Sequence, residues 1–180
     1  MQGEAEHVVV VGQPDQRATQ QRLWLVDRLE PGSAAYNMPS ALRLTGTLAV
    51  AALQAGLDEL VRRHEALRTT FAEHGGAPVQ VVHPPAPVPL PVVDLRGAPH
   101  PEADAVRLAA GEALRPFDLA RGPLLRCTLL RLADDDHVLL FTLHHVVSDG
   151  WSMQVLTREV SAFYAAFSRG ETARLPELPV

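Results

Sequence analysis

The chain has 180 residues, 47% hydrophobic and 21% charged, a balance that suits one folded core and not a disordered segment. Sixteen Lys and Arg against 21 Asp and Glu leave a net charge of −5 with no basic cluster, so the electrostatic footprint of a nucleic-acid binder is missing. No apolar run approaches the ~18–20 residues of a membrane span, Cys127 stands alone and so cannot form an intramolecular disulfide, and the expected setting is a reducing cytoplasm.

MQGEAEHVVVVG is too acidic and its valine run too short for a signal peptide, so residues 1–16 read as an N-terminal extension with a strand. TQQRLWLVDRL, Thr19 to Leu29, sets Leu23 and Val26 at helical spacing and stops at Pro31-Gly32, which predicts a helix ended by a turn. SALRLTGTL predicts a strand up to Gly46. From Val50 to Phe71, VAALQAGLDELVRRHEALRTTF repeats apolar residues every three or four positions and predicts one long amphipathic helix.

PVQVV, Pro78 to Val82, reads as a strand. HPPAPVPLP, His83 to Pro91, has a proline at five of nine positions, each without a backbone donor, and reads as a surface crossover, with a polyproline ligand for a partner as the alternative. EADAVRLAAGEALRPFDL predicts a helix ending near Pro116. PLLRCTLLRL and HVLLFTL, separated by Ala133-Asp134-Asp135-Asp136, predict a hairpin in which Cys127 is a buried, inert thiol. SMQVLTREVSAFYAAFSR predicts a last helix with Gly170 beyond its end. Strands and helices interleave, so the class over residues 17–172 is α/β or α+β, a mixed-sheet α/β sandwich with helices packed on the sheet, and residues 173–180 read as a connector.

The chemistry-bearing stretch is FTLHHVVSDGWSM, Phe141 to Met153, a strand-to-helix loop of the kind on which α/β folds present functional groups. Adjacent side chains on an extended chain point to opposite faces, so His144 and His145 do not share one small ligand, and no third metal ligand beyond Asp149 is evident. A metal site is not expected. One histidine should face an open site for acid–base or positioning work while the other packs beneath. Asp149 can brace the loop or orient an imidazole. Gly150 permits backbone angles closed to other residues, and its place at a helix start offers N–H groups to a developing oxyanion. Trp151, Tyr164 and Phe167 read as core.

Three segments together resemble the condensation domains of nonribosomal peptide synthetases. HHVVSDGWS (His144 to Ser152) is similar to the family's H-H-x-x-x-D-G signature, RHEALRTTF (Arg63 to Phe71) to a second one, and QQRLWLVDRLEPGSAAYN (Gln20 to Asn37) to the N-terminal one. RPFDLARGPLLR is similar to a connecting stretch. Arg17-Ala18-Thr19 and Leu143 depart from the family pattern outside the His-Asp-Gly core.

The resemblance implies a chloramphenicol-acetyltransferase-like single lobe, the N-terminal half of a two-lobed, V-shaped domain whose C-terminal lobe is missing here. It implies amide bond formation between acyl and aminoacyl thioesters, delivered on phosphopantetheine arms of donor and acceptor peptidyl carrier proteins beside an adenylation domain, with no cofactor bound by the domain itself. His145 matches the active-site histidine, with Asp149 and Gly150 completing the catalytic motif. His144, Arg68, Arg63, Ser148 and Trp151 are the expected supports, Arg68 and then Arg63 being the arginines expected to pair with Asp149. A non-catalytic carrier-docking or enzyme-recruiting module, or an epimerisation-type relative, is the alternative.

Overall fold

The structure, a computed structural model, describes residues 14–173 and 175–176. The strand expected within residues 1–16 and most of the 173–180 connector lie outside the described residues. In chain order the elements are α1 (Pro14–Leu29), β1 (Asn37–Thr45), α2 (Val50–Arg63), a 3₁₀ turn (Glu65–Arg68), β2 (Thr69–His74), β3 (Ala77–Val82), β4 (Val92–Asp94), α3 (Pro101–Ala113), β5 (Leu125–Ala133), β6 (Asp136–His144) and α4 (Gly150–Phe167).

The main sheet has the order β1-β6-β5-β4; β1 and β5 flank β6 antiparallel, and β4 runs parallel to β5. This is the mixed sheet expected of the α+β class. Because side chains alternate across a strand, the apolar runs of β5 and β6 supply two cores at once. Leu125, Cys127, Leu129, Leu139, Phe141 and Leu143 face α2 and α4, where Leu57, Leu60, Val160 and Phe163 close the layer. Leu130, Leu132 and Leu140 point the other way, under α3 and Ala105. At the far end of that second face, Leu124 joins Leu23 and Trp24 of α1, Phe71 and Phe117. Cys127 lies in the first layer, and burial pushes its thiol pKa up.

Pro39 is accommodated because β1 is an edge strand, where a missing donor faces no ladder partner. Helices α2 and α4 approach closely at Gly56, where an added Cβ would sit 3.4 Å from Cβ of Phe163.

Helix α1 begins earlier than expected, at Pro14, and β4 is a strand that the sequence does not suggest, but the largest departure is in α2. The helix predicted over Val50–Phe71 ends at Arg63; His64 is extended (φ −103°, ψ 100°), a 3₁₀ turn follows, and Thr69 opens β2. Two causes act together. Thr69 and Thr70 are β-branched and favour the hairpin with β3, which turns through Gly75-Gly76 at φ +59° and +80°. The break also releases His64 to reach α4, where its Nε2 lies 2.6 Å from the carboxylate of Glu159 and Arg63 Nε lies 3.2 Å from it. The helical period persists in the sequence because Leu67 is buried anyway, carried inward by the 3₁₀ turn.

Glu159 is 7% exposed and ties α2 to α4. Glu159→Ala leaves Arg63 and His64 facing each other without their anion, and should cost about 3–5 kcal/mol. Equilibrium urea unfolding checks this; a loss below about 1 kcal/mol would mean the cluster is solvated and idle.

Candidate functional site

Strand β6 ends at His144 and α4 begins at Gly150, so residues 145–149 bridge a buried strand to a helix lying on the opposite sheet face. The alternation of β6 carries into the loop. Leu143 points into the α2–α4 layer, and His144, 2% exposed, points into the other one. Its ring stands edge-on to Phe117 with centroids 6.0 Å apart, and 6.3 Å from Tyr36. Its Nδ1 accepts the N–H of Val146 at 3.1 Å. Burial, with the neighbouring His145 adding to it, pushes the pKa of His144 down to about 4, so the ring is neutral near pH 7 with its proton on Nε2.

His145 turns outward. Its N–H donates to the carbonyl of Tyr36 at 2.9 Å, which holds the main chain to the start of β1. Its Nδ1 lies 2.7 Å from the carbonyl oxygen of Ser148. A carbonyl only accepts, so Nδ1 carries a hydrogen, and in the neutral ring the lone pair is on Nε2. His145 lines an open cavity of about 520 Å³ with Thr19, Gln20, Ala66, Ser148, Asp149 and Ser152.

Asp149 is the N-cap of α4. Its carboxylate accepts the N–H of Ser152 at 2.7 Å and the Ser152 hydroxyl at 2.6 Å, and these bonds hold its pKa below the ordinary carboxylate value. Ser148 is buried and supplies the carbonyl that orients His145.

Four expectations are corrected. Neither Arg68 nor Arg63 pairs with Asp149. Arg68 donates to the His83 carbonyl at 2.5 Å and to Glu65 at 3.0 Å, while Arg63 serves Glu159. The 3₁₀ turn takes Arg68 off the face that a continuous helix would present, and Arg63, still in α2, is held by Glu159 of α4. Second, two first-turn N–H groups of α4, those of Trp151 and Ser152, are not free for an oxyanion, because they serve the Asp149 carboxylate. Third, Gly150 adopts an ordinary φ and a Cβ there would meet nothing within 4 Å, so no special backbone angle requires glycine. Fourth, Trp151 is 74% exposed, since it lies off the Leu156–Val160–Phe163 stripe that α4 buries. Tyr164 and Phe167, by contrast, pack against the core.

Sequence reasoning missed the Tyr36 carbonyl, Gln20 and Glu159. Only Glu159 left a readable signal, as a lone acid within the buried stripe of α4. A second cavity of about 320 Å³ lies beyond Arg68, under the proline-rich segment, and takes in none of residues 145–149.

The buried histidine makes stability depend on pH. Between pH 6.5, the ordinary value for histidine, and about 4, the unfolded chain binds a proton at position 144 that the folded protein refuses. Stability should therefore fall as pH drops through that window. His144→Asn, which keeps an acceptor for the Val146 N–H, should flatten the fall in melting temperature. Asp149→Ala should cost about 0.5–2 kcal/mol through the lost cap, and Asp149→Asn much less, as read by chemical denaturation.

A family model described as "Condensation domain" matches residues 16–180. A linear gramicidin synthase polypeptide of Brevibacillus parabrevis is 52% identical over 163 residues, which are 89% of this chain and 3% of that protein. Chondramide synthase cmdD of Chondromyces crocatus is 49% identical over 89% of this chain and 4% of its own length. Among solved structures, the starter condensation domain of rhizomide synthetase RzmA superposes with a TM-score of 0.84 at 25% identity, covering 96% of this chain and 40% of that one. The first condensation domain of the calcium-dependent antibiotic synthetase, in complex with a substrate analogue, gives 0.81 at 31% identity over 87% of this chain and 38% of its own. The chain thus spans about 40% of these solved condensation-domain chains and a few per cent of these two synthetases.

Proposed function

This chain belongs to the condensation-domain family, and from that premise we propose that it is the N-terminal lobe of a two-lobed domain that forms amide bonds in nonribosomal peptide synthesis. The fold is that of a chloramphenicol-acetyltransferase-like lobe. Residues 17–172 are the lobe, and residues 173–180 lead toward a second lobe that supplies the facing wall of the cavity. Substrates arrive on phosphopantetheine arms of donor and acceptor carrier proteins in the cytoplasm, within a synthetase that also carries an adenylation domain.

The observation that carries this reading is the 2.7 Å contact between His145 Nδ1 and the Ser148 carbonyl, beside an open cavity that His145 lines. The Ser148 carbonyl takes the Nδ1 hydrogen, and Nε2 presents a lone pair to the cavity. The amine nitrogen of the acceptor attacks the donor thioester carbonyl; a C–N bond forms and the carbonyl becomes an oxyanion. Nε2 accepts a hydrogen bond from the attacking amine, orienting it, and takes the proton that the nitrogen must lose. As the tetrahedral intermediate collapses, the C–S bond breaks and the same proton passes to the departing thiolate. Asp149 and Ser148 support this geometry through the helix cap and the loop carbonyl; His144 supports it as the buried underside of the loop. Arg63 acts at a distance, by fixing α4.

In a condensation assay with loaded carrier proteins, full-length protein should form the amide and residues 1–180 alone should show negligible turnover. His145→Ala in the full-length protein should lower the rate by about 10²–10⁴-fold. Unchanged turnover in His145→Ala would remove that histidine from the mechanism, and robust activity from residues 1–180 would remove the two-lobe account. A carrier-docking module without catalysis would bind loaded carrier and release no amide.

A further inference from the structure

The histidine loop is also held from outside its own sequence. Gln80 on β3 donates its side-chain amide to Oε1 of Gln20 on α1. Gln20 in turn donates Nε2–H to the carbonyl of Val146 at 3.3 Å. The two amides run head to tail, so each polarises the next. Gln20 lines the same cavity as His145.

Val146 is the first of the two residues between the ends of the His145–Ser148 contact. Its N–H goes to Nδ1 of His144, and its side chain is buried with Leu23, Trp24, Phe71 and Phe117. Only its carbonyl remains to be fixed, and Gln20 fixes it. With all three held, the main chain from 145 to 148 keeps the curvature that brings the Ser148 carbonyl to 2.7 Å from the His145 ring.

We infer that Gln20 is a positioning residue for His145: by holding the Val146 carbonyl it keeps the Ser148 carbonyl on Nδ1 and so selects the tautomer with a free Nε2 lone pair. The consequence for turnover rests on the reading of His145 as the group at the reacting amine. Without Gln20 the Val146 carbonyl turns to water in the cavity and the Ser148 carbonyl moves off. His145 then drifts toward the Nε2–H form that free imidazole favours in water, and that nitrogen accepts nothing.

The test uses full-length protein labelled with ¹⁵N-histidine, the His145 signals being identified by their loss in His145→Ala. Gln20→Glu is nearly isosteric, still accepts from Gln80 and lacks the donor; Gln20→Leu removes both bonds. Both should lower the Nδ1–H population of His145 and reduce kcat about tenfold with KM little changed, at a melting temperature close to that of the parent. Gln80→Leu, which spares the donor, should do both to a smaller extent. An unchanged tautomer in folded Gln20→Glu overturns the inference, and so does a shifted tautomer with unchanged kcat. If Gln20→Leu does not fold, Gln20→Glu and Gln80→Leu decide it. Should the parent protein form no amide at all, the functional reading fails, and the nitrogen signals still report whether Gln20 holds the tautomer.

Discussion

Everything in this lobe depends on the pleat of β6. A strand allows no choice about which side a residue faces, and β6 is buried on both sides, so its register is fixed from Asp136 to His144 by β1 on one edge and β5 on the other. That constraint makes the two histidines unequal before any chemistry is considered. His144 falls on the Phe117–Tyr36 side and loses its charge; the chain then leaves the sheet and His145 emerges. A one-residue slip of β6 would exchange them, and no change in the loop itself could restore the order.

The buried and exposed carboxylates are sorted by the same architecture. Asp149 sits at the mouth of the cavity with its charge taken up by the start of α4. Glu159, nearly three turns further along the same helix, is buried and paired with Arg63, with His64 Nε2 2.6 Å from its carboxylate. Arg63 therefore acts on the site through helix placement and not through the loop. On the function proposed above, substitutions at Arg63 or His64 would reach His145 through the placement of α4.

Much of this is legible in the sequence. Period-two runs mark β5 and β6, period 3.6 marks α3 and α4, and HHVVSDGWS marks the loop, because each rests on short-range pattern. What the sequence hides is of a different physical kind. The helix over Val50–Phe71 reads too long because the periodicity of Leu67 is compatible with a 3₁₀ turn, while the hairpin of Thr69 and Thr70 with β3 and the pull of Glu159, ninety-five residues from His64, break it. The arginine partner of Asp149 is misread for the same reason, since a side chain's direction follows the backbone it stands on. The Ser148 and Tyr36 carbonyls are invisible because main-chain acceptors leave no mark on residue identity. Trp151 reads as core because a large aromatic usually is, yet the buried stripe of α4 passes it by.

The openness of the cavity around His145 has an energetic meaning. In this lobe the imidazole stands in contact with water, where a unit charge 4 Å away is worth about 1 kcal/mol; at the effective dielectric of a protein surface the same pair is worth about 4 kcal/mol. The strength of His145 is therefore not stored in the lobe that carries it. Its geometry is set here in advance, by backbone carbonyls that bear no net charge. On the function proposed above, its electrostatic force is set by whatever excludes solvent from the other side, so this lobe would hold the reagent and the closing surface would set the medium.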